Sequence, residues 1–444
     1  MALLRGDRRP AALTPLGRGL RFRAPWRPLK IAEVQTKAKD GLDRTREKKG
    51  KRRGELLAEI GRWACGNERW YKIGCGSERN SKNDLEELVQ EDTTYRKKCL
   101  FLFFCLRQSS SDAAYLARHV GLRVGVPTEV SALTLNRLCG SGFQSVVSGC
   151  QEICVKDAEV VLCGGTESMS QSPYCVRNVR FGTKLGLDLK LEDTLWAGLT
   201  DQHIKLPMGL TAENLAAQHK ISREDCDRYA LQSQQRWKAA NDAGYFNEEM
   251  APIEVKTRKG KQTMQMDEHP RPQTTLEQLQ KLPNVFKKEG TVTAGNASGV
   301  SDGAGAIIIA SEDAVKKHNF TPLARVVSYF VSGCDPTIMG IGPVPAINGA
   351  LKKAGLSLKD MDLIEVNEAF APQYLAVQKS LDLDPSKSNV NGGAIALGHP
   401  LGGSGSRITA HLVHELRRRG GKYAVGSACI GGGQGIALII QNTA

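Results

Sequence analysis

Two glycine-rich turns echo one another in this chain, and the echo narrows the folds open to it. Leu138-Cys139-Gly140-Ser141-Gly142 opens a stretch with apolar residues at helical spacing, and Leu401-Gly402-Gly403-Ser404-Gly405 opens another. Each stretch leads into an apolar strand and a run of glycines: Val160-Val161-Leu162-Cys163-Gly164-Gly165 in the first case, residues 424–433 in the second. Helical periodicity followed by a short apolar run bounded by glycine reads as a helix packed on a buried strand. Its recurrence predicts two related halves, each with a glycine-opened helix laid against a sheet.

The alternation extends over the rest of the chain from Gln108. Helices are predicted over 112–121, 140–158, 345–354, 372–381 and 406–419, and strands over 129–135, 159–163, 304–310, 324–330, 363–366, 423–427 and 435–441. Such alternation predicts the α/β class, with helices on mostly parallel sheets. A long polar stretch interrupts it between about residues 168 and 296, with helices at 212–219 and 223–243. We divide the chain accordingly: a basic leading segment (1–107), a first half (108–167 and 297–320), an inserted region (168–296) and a second half (321–444).

The net charge of +14 suggests a polyanion partner until it is divided along the chain. Residues 1–107 hold 26 Lys and Arg against 14 Asp and Glu, a balance of +12, so the remaining 337 residues carry only +2. The basicity belongs to the leading segment, and no nucleic-acid partner is expected for the body. Residues 5–30 are rich in Arg, Leu, Ala and Pro, the composition of a mitochondrial targeting peptide. The run at 48–53 reads as a solvated charge cluster, the segment as a whole as partly disordered, and its apolar run at 100–106 as a strand. No stretch is apolar enough for a transmembrane segment. The 12 cysteines show neither CxxC pairs nor zinc spacing, so no metal is expected, and free thiols in a reducing compartment are.

Four residues stand where such folds do chemistry. Cys139 lies at a helix start, where free N–H groups and the macrodipole favour a thiolate, so it reads as a nucleophile. Cys150 and Cys154, further along the same helix, read as small buried residues. Cys429 lies in Cys429-Ile430-Gly431-Gly432-Gly433, whose backbone N–H groups can face an oxyanion. Asn367-Glu368-Ala369-Phe370 follows the carboxyl end of a predicted strand. Asn367 can fix a water or an oxyanion there, whereas Glu368 reads as a base or as a carboxylate complementing a helix start. His399 sits in the run from Asn391 to Gly405, between a glycine and a proline. Two thiols, an imidazole and an amide form an acyl-transfer kit, and the second thiol points to carbon–carbon bond chemistry, since it can move a proton on carbon.

These segments, with Asn136-Arg137-Leu138-Cys139 and Gly164-Gly165-Thr166-Glu167-Ser168-Met169-Ser170, resemble the thiolase family over about 108–444. The resemblance implies the thiolase fold: two βαβαβαββ-type halves in an α-β-α-β-α core, with an inserted loop domain. It implies an acetyl-CoA C-acyltransferase of β-oxidation that cleaves 3-oxoacyl-CoA with coenzyme A as co-substrate and holds no permanent cofactor. Cys139 would carry the acyl group. His399 and a water on Asn367 would form one oxyanion hole, the N–H groups of Cys139 and Gly431 another, and Cys429 would move the proton. Arg271, Thr274 and Ser298 would contact coenzyme A. A homodimer or homotetramer in the mitochondrial matrix is implied, with thioesterase action, or an inactive chain, as the alternatives. Residues 7–107 depart from the family, whose opening strand, helices and second strand are replaced by the basic segment. That loss would cost more than the roughly 5–15 kcal/mol by which domains are stable, which predicts poor folding of the whole chain.

Overall fold

The computed structural model describes Leu29–Glu33, Cys99–Phe103, residues 113–257 and residues 260–443. The targeting-like stretch up to residue 28, the basic run at 48–53 and the rest of the supposedly disordered segment lie outside the described residues. Nine strands form one sheet: β1 (Leu29–Glu33), β2 (Cys99–Phe103), β3 (Ala132–Thr134), β4 (Val160–Ser168), β5 (Asp302–Ala310), β6 (Thr321–Gly333), β7 (Leu363–Val366), β8 (Tyr423–Ile430) and β9 (Gln434–Asn442). Their order is β7-β8-β9-β6-β1-β5-β4-β2-β3.

The sheet is mixed rather than mostly parallel, with five of its eight pairings antiparallel, because hairpin-like partners join the parallel strands, and its topology repeats. β5 runs antiparallel to both β1 and β4, and β2 runs parallel to β4 and β3. Likewise β9 runs antiparallel to both β6 and β8, and β7 runs parallel to β8. Ile364 of β7 adds a parallel bridge to Ser388 where β3 has its counterpart. The halves join through β1, which pairs antiparallel with β6 as well as β5.

Among the described residues seven helices of eight residues or more complete the frame: α1 (Leu116–Arg123), α2 (Ser141–Val155), α3 (Met208–Gln218), α4 (Arg223–Asp242), α5 (Pro343–Ala354), α6 (Ala371–Leu381) and α7 (Leu401–Arg418). Phe143 and Val146 of α2 and Ile408 and Leu412 of α7 pack with Val161, Cys163 and Ile307 on one side and Ala424, Ala428 and Leu438 on the other. Alternate strand residues face outward, Leu162 and Ala306 to α1, and Val425, Ala437 and Ile439 to α5 and α6. Strands buried on both faces thus separate three helical layers, α-β-α-β-α. The two echoing turns cross in the central layer. A Cβ on Gly142 would lie 2.3 Å from the Ser406 nitrogen, and one on Gly405 2.2 Å from the Phe143 nitrogen. Only glycine lets the two backbones touch there.

The leading segment supplies two strands. β2 falls in the apolar run read as a strand, while nothing in the sequence reading marks β1. The cysteine reading needs one correction: Cys150 is buried, but Cys154 is exposed, because α2 ends one residue later and turns its last face outward.

The inserted stretch holds α3, α4 and three two-stranded ribbons, the first pairing Tyr174–Val176 with Leu191–Asp193. It is tied to α7 by a buried pair, with His411 Nδ1 2.9 Å from both Glu249 oxygens. Burial lowers the imidazole, but Glu249, helped by Glu365 and Glu415, outweighs it and raises His411 to about 9. A histidine raised on folding contributes stability that is full below its unfolded value of about 6.5 and is lost as pH rises through about 9. The melting temperature should therefore fall across that window, and His411→Asn should flatten the decline; equal slopes in the two proteins would contradict it. Among the described residues no helix is long and apolar enough to cross a membrane.

Candidate active site

Cys139 lies in the 3-10 turn Leu138–Gly140 that leads into α2. Leu138 adopts φ +48°, rare for a branched residue. Local hydrogen bonds hold it there. Leu138 N–H donates to Asn136 Oδ1 at 2.9 Å, and the Ser141 hydroxyl donates to the Leu138 carbonyl at 2.6 Å. Cys139 itself is buried against Met169 and Leu401.

Leu401 stands two residues beyond His399, whose ring is buried and held at both nitrogens. Nδ1 lies 2.6 Å from Ser404 Oγ, and that hydroxyl donates its single hydrogen to the Pro400 carbonyl at 3.0 Å. It therefore accepts from Nδ1–H, which leaves the lone pair on Nε2. Asn367 Nδ2 donates to Nε2 at 3.4 Å. Burial, reinforced by the Arg407 cation, pushes the imidazole down to about 3, so His399 rests as a neutral base. Arg407 in turn pairs with Glu365 of β7, which ties the strand before Asn367 to the helix after His399. Ser404→Ala would leave the tautomer unset and a buried donor unmet, at about 1–3 kcal/mol. Turnover should drop on the order of tenfold with little change in KM, and an unchanged kcat would refute this orienting role.

Cys429 is fully buried near the end of β8. Burial, then the neighbouring Cys139 and Cys334, hold its thiol well above the usual range, so it keeps its proton at rest. The turn that follows lies against the Cys139 turn. A Cβ on Gly431 would come within 3.1 Å of Leu138 Cδ1 and 2.5 Å of Met208 Cε, and one on Gly140 within 2.5 Å of Ile430 Cδ1. Gly432 and Gly433, both at φ +79°, give that turn its left-handed backbone. Asn367 N–H donates to the Ser427 carbonyl at 2.9 Å, two residues before Cys429. Its Oδ1 is buried without a protein hydrogen-bond partner and so has an acceptor to offer. The structure thus gathers Cys139, His399, Asn367, Cys429 and Gly431 where the two halves meet.

Glu368 takes neither role foreseen for it. It accepts from the Tyr229 and Ser233 hydroxyls at 2.7 Å each, from Asn389 Nδ2 at 3.0 Å and from Ile395 N–H at 3.1 Å. With its oxygens so occupied, it tethers α4 to the loop before His399. Ser298 donates from both N–H and Oγ to the Ala369 carbonyl, at 3.1 and 3.0 Å, which seats it beside this strand end. Arg271 and Thr274 share a more exposed turn, where Thr274 N–H donates to the Arg271 carbonyl at 3.0 Å and Arg271 N–H to Gln234 Oε1 at 2.8 Å. Sequence reasoning missed the orienting role of Ser404 and the packing of Met169 and Met208. Ser404 was findable, being in the first turn of the helix that follows the histidine.

Comparison with known proteins places the chain beside one family. Residues 102–313 match the N-terminal domain of the thiolase family and residues 320–442 its C-terminal domain. Over 337 residues the chain is 93% identical to the mitochondrial 3-ketoacyl-CoA thiolase of Mus musculus, covering 76% of this chain and 85% of that protein. Identity to the Homo sapiens protein of the same name is 88%, with the same coverage. The crystal structure of human mitochondrial 3-ketoacyl-CoA thiolase in complex with CoA superposes with a TM-score of 0.77 at 80% identity, covering 82% of this chain and 91% of that one.

Proposed function

This chain belongs to the thiolase family, and from that premise we propose that it is an acetyl-CoA C-acyltransferase of fatty-acid β-oxidation. It cleaves 3-oxoacyl-CoA with coenzyme A into acetyl-CoA and a shortened acyl-CoA. The observation that carries the reading is the meeting of two buried thiols, Cys139 and Cys429, on turns that pack together, with His399 two residues before the Leu401 that covers Cys139. A hydrolase needs only one of the two thiols.

The residues divide the work as follows. His399 Nε2 takes the Cys139 proton, and the sulfur attacks the 3-oxo carbon. The new Nε2–H and a water held by Asn367 face the developing oxyanion. When the carbon–carbon bond breaks, Cys429 gives its proton to the departing acetyl-CoA enolate, whose oxygen lies against the N–H groups of Cys139 and Gly431. The thiol of coenzyme A then gives its proton to the Cys429 thiolate and attacks the acyl-Cys139 thioester; the bond to Cys139 breaks, and its sulfur recovers the proton held by His399, which frees the enzyme. Coenzyme A is a co-substrate here, with no permanently bound cofactor. Arg271, Thr274 and Ser298 are assigned to its binding, a reading supported by the cationic, exposed Arg271 and by Ser298 beside Ala369.

The reading extends to setting. The mitochondrial relatives support work in the mitochondrion, and the Arg-rich opening fits import into the matrix. A homodimer or homotetramer is supported by the ribbon of the inserted region, where Phe181 and Leu185 are wholly exposed. Light scattering of the purified chain tests assembly, and a monomer would refute it. The decisive assay follows acetyl-CoA and shortened acyl-CoA when 3-oxoacyl-CoA and coenzyme A are supplied. Release of free fatty acid instead would make the chain a thioesterase, and no cleavage at all would make it inactive.

A further inference from the structure

A second pair of nucleophiles lies away from this site, at the far end of α2. Cys154 is exposed next to the last residue of that helix, and Lys353 is exposed in the last turn of α5. Tyr329 of β6 links them. Gln151, three residues before Cys154 on α2 and so on the same face, donates to the Tyr329 hydroxyl at 3.1 Å. Lys353 Nζ lies 4.1 Å above the centre of the same ring. The thiol and the amine also feel each other. Partial burial holds the Cys154 thiol above its usual range although Lys353 lowers it, and holds the Lys353 ammonium below its own although Cys154 raises it.

We propose that Cys154 and Lys353 form a self-acylation site for short acyl-CoA thioesters, in which Cys154 takes the acyl group and passes it to Lys353. In the first step Cys154 Sγ attacks the thioester carbonyl. A carbon–sulfur bond to Cys154 forms, the bond to coenzyme A breaks, and coenzyme A leaves as the thiol with the proton that Cys154 gave up. This exchanges one thioester for another at little net cost. In the second step neutral Lys353 Nζ attacks the new thioester. A carbon–nitrogen bond forms, the carbon–sulfur bond breaks, and the nitrogen proton returns to sulfur. The amide is the more stable product, which makes this step the downhill one, and nothing is oxidised or reduced.

The arrangement favours the second step in two ways. Tyr329 holds the amine over a ring whose hydroxyl is bonded to Gln151, on the helix face that carries the thiol, and this turns a bimolecular attack into an intramolecular one. Burial also shifts Lys353 toward its neutral, nucleophilic form. Acylation removes the ammonium charge and with it the contact to the Tyr329 ring. Lys352, exposed in the same turn, serves as an internal control.

The test incubates the full chain with acetyl-CoA and follows acetylation of Lys353 and Lys352 by peptide mass spectrometry, so it does not depend on thiolase turnover. Lys353 should react about tenfold faster than Lys352, faster still as pH rises, and the advantage should vanish in Cys154→Ser. Lys353→Arg should trap a hydroxylamine-labile acetyl group on Cys154. Both side chains are exposed, so neither change disturbs the core. Wild-type acetylation of Lys353 in Cys154→Ser, no advantage over Lys352, or no thioester in Lys353→Arg would each overturn the proposal.

Discussion

Cys139→Ala should yield a folded protein that forms no acyl-enzyme and cleaves 3-oxoacyl-CoA at least about 10⁴-fold more slowly. The size follows from what is removed. His399 and the backbone donors remain, but they act on an intermediate that can no longer form covalently. Alanine fits the pocket made by Met169 and Leu401, so the melting temperature should barely move, which separates a chemical loss from a folding one. Steady-state kinetics and intact-mass measurement of the acylated protein check both halves of the expectation. Wild-type thiolysis in this variant would remove Cys139 from the role assigned to it.

Cys429→Ala should separate the two halves of the reaction. Its thiol is held protonated by burial and by its cysteine neighbours, which suits it to give a proton to carbon and ill suits it to attack a carbonyl. Removing it should slow carbon–carbon cleavage and condensation by about 10²–10⁴-fold. Cys139 would still accept an acyl group from acyl-CoA, so exchange of labelled coenzyme A into acyl-CoA, and slow hydrolysis, should persist. If exchange and cleavage fell in parallel, Cys429 would be supporting Cys139 rather than handling its own proton.

Much of the fold and of the candidate site is legible in the sequence because their signals are local. The α7 turn declares itself through glycines that two crossing backbones require, and β4 and β8 through apolar runs bounded by glycine. Cys139, Asn367, His399 and Cys429 are visible because each stands at a strand or helix end, where the residue pattern changes. The rest depends on contacts between distant segments. Glu368 looks like a base or a helix-start carboxylate until Tyr229 and Ser233, more than a hundred residues away, are seen to bind it. Cys154 looks buried because periodicity shows which residues share a helix face but not where a neighbouring layer ends. Strand β1 is illegible for another reason: Leu-Lys-Ile-Ala-Glu carries no pattern longer than itself, and its place is decided by the edges it joins.

Those five residues have a consequence for how freely this part of the molecule can vary. β1 is the fifth of nine strands, and it occupies the facing edges of β5 and β6, which would otherwise both lie open. Backbone hydrogen bonds satisfy an edge, and every residue but proline brings the same donor and acceptor to them. The hydrogen bonds of the join therefore ask for a length of extended chain, whatever its side chains. A stretch unlike the family's own opening can meet those hydrogen bonds, while the residues assigned to the chemistry, each chosen for its side chain, have no such licence.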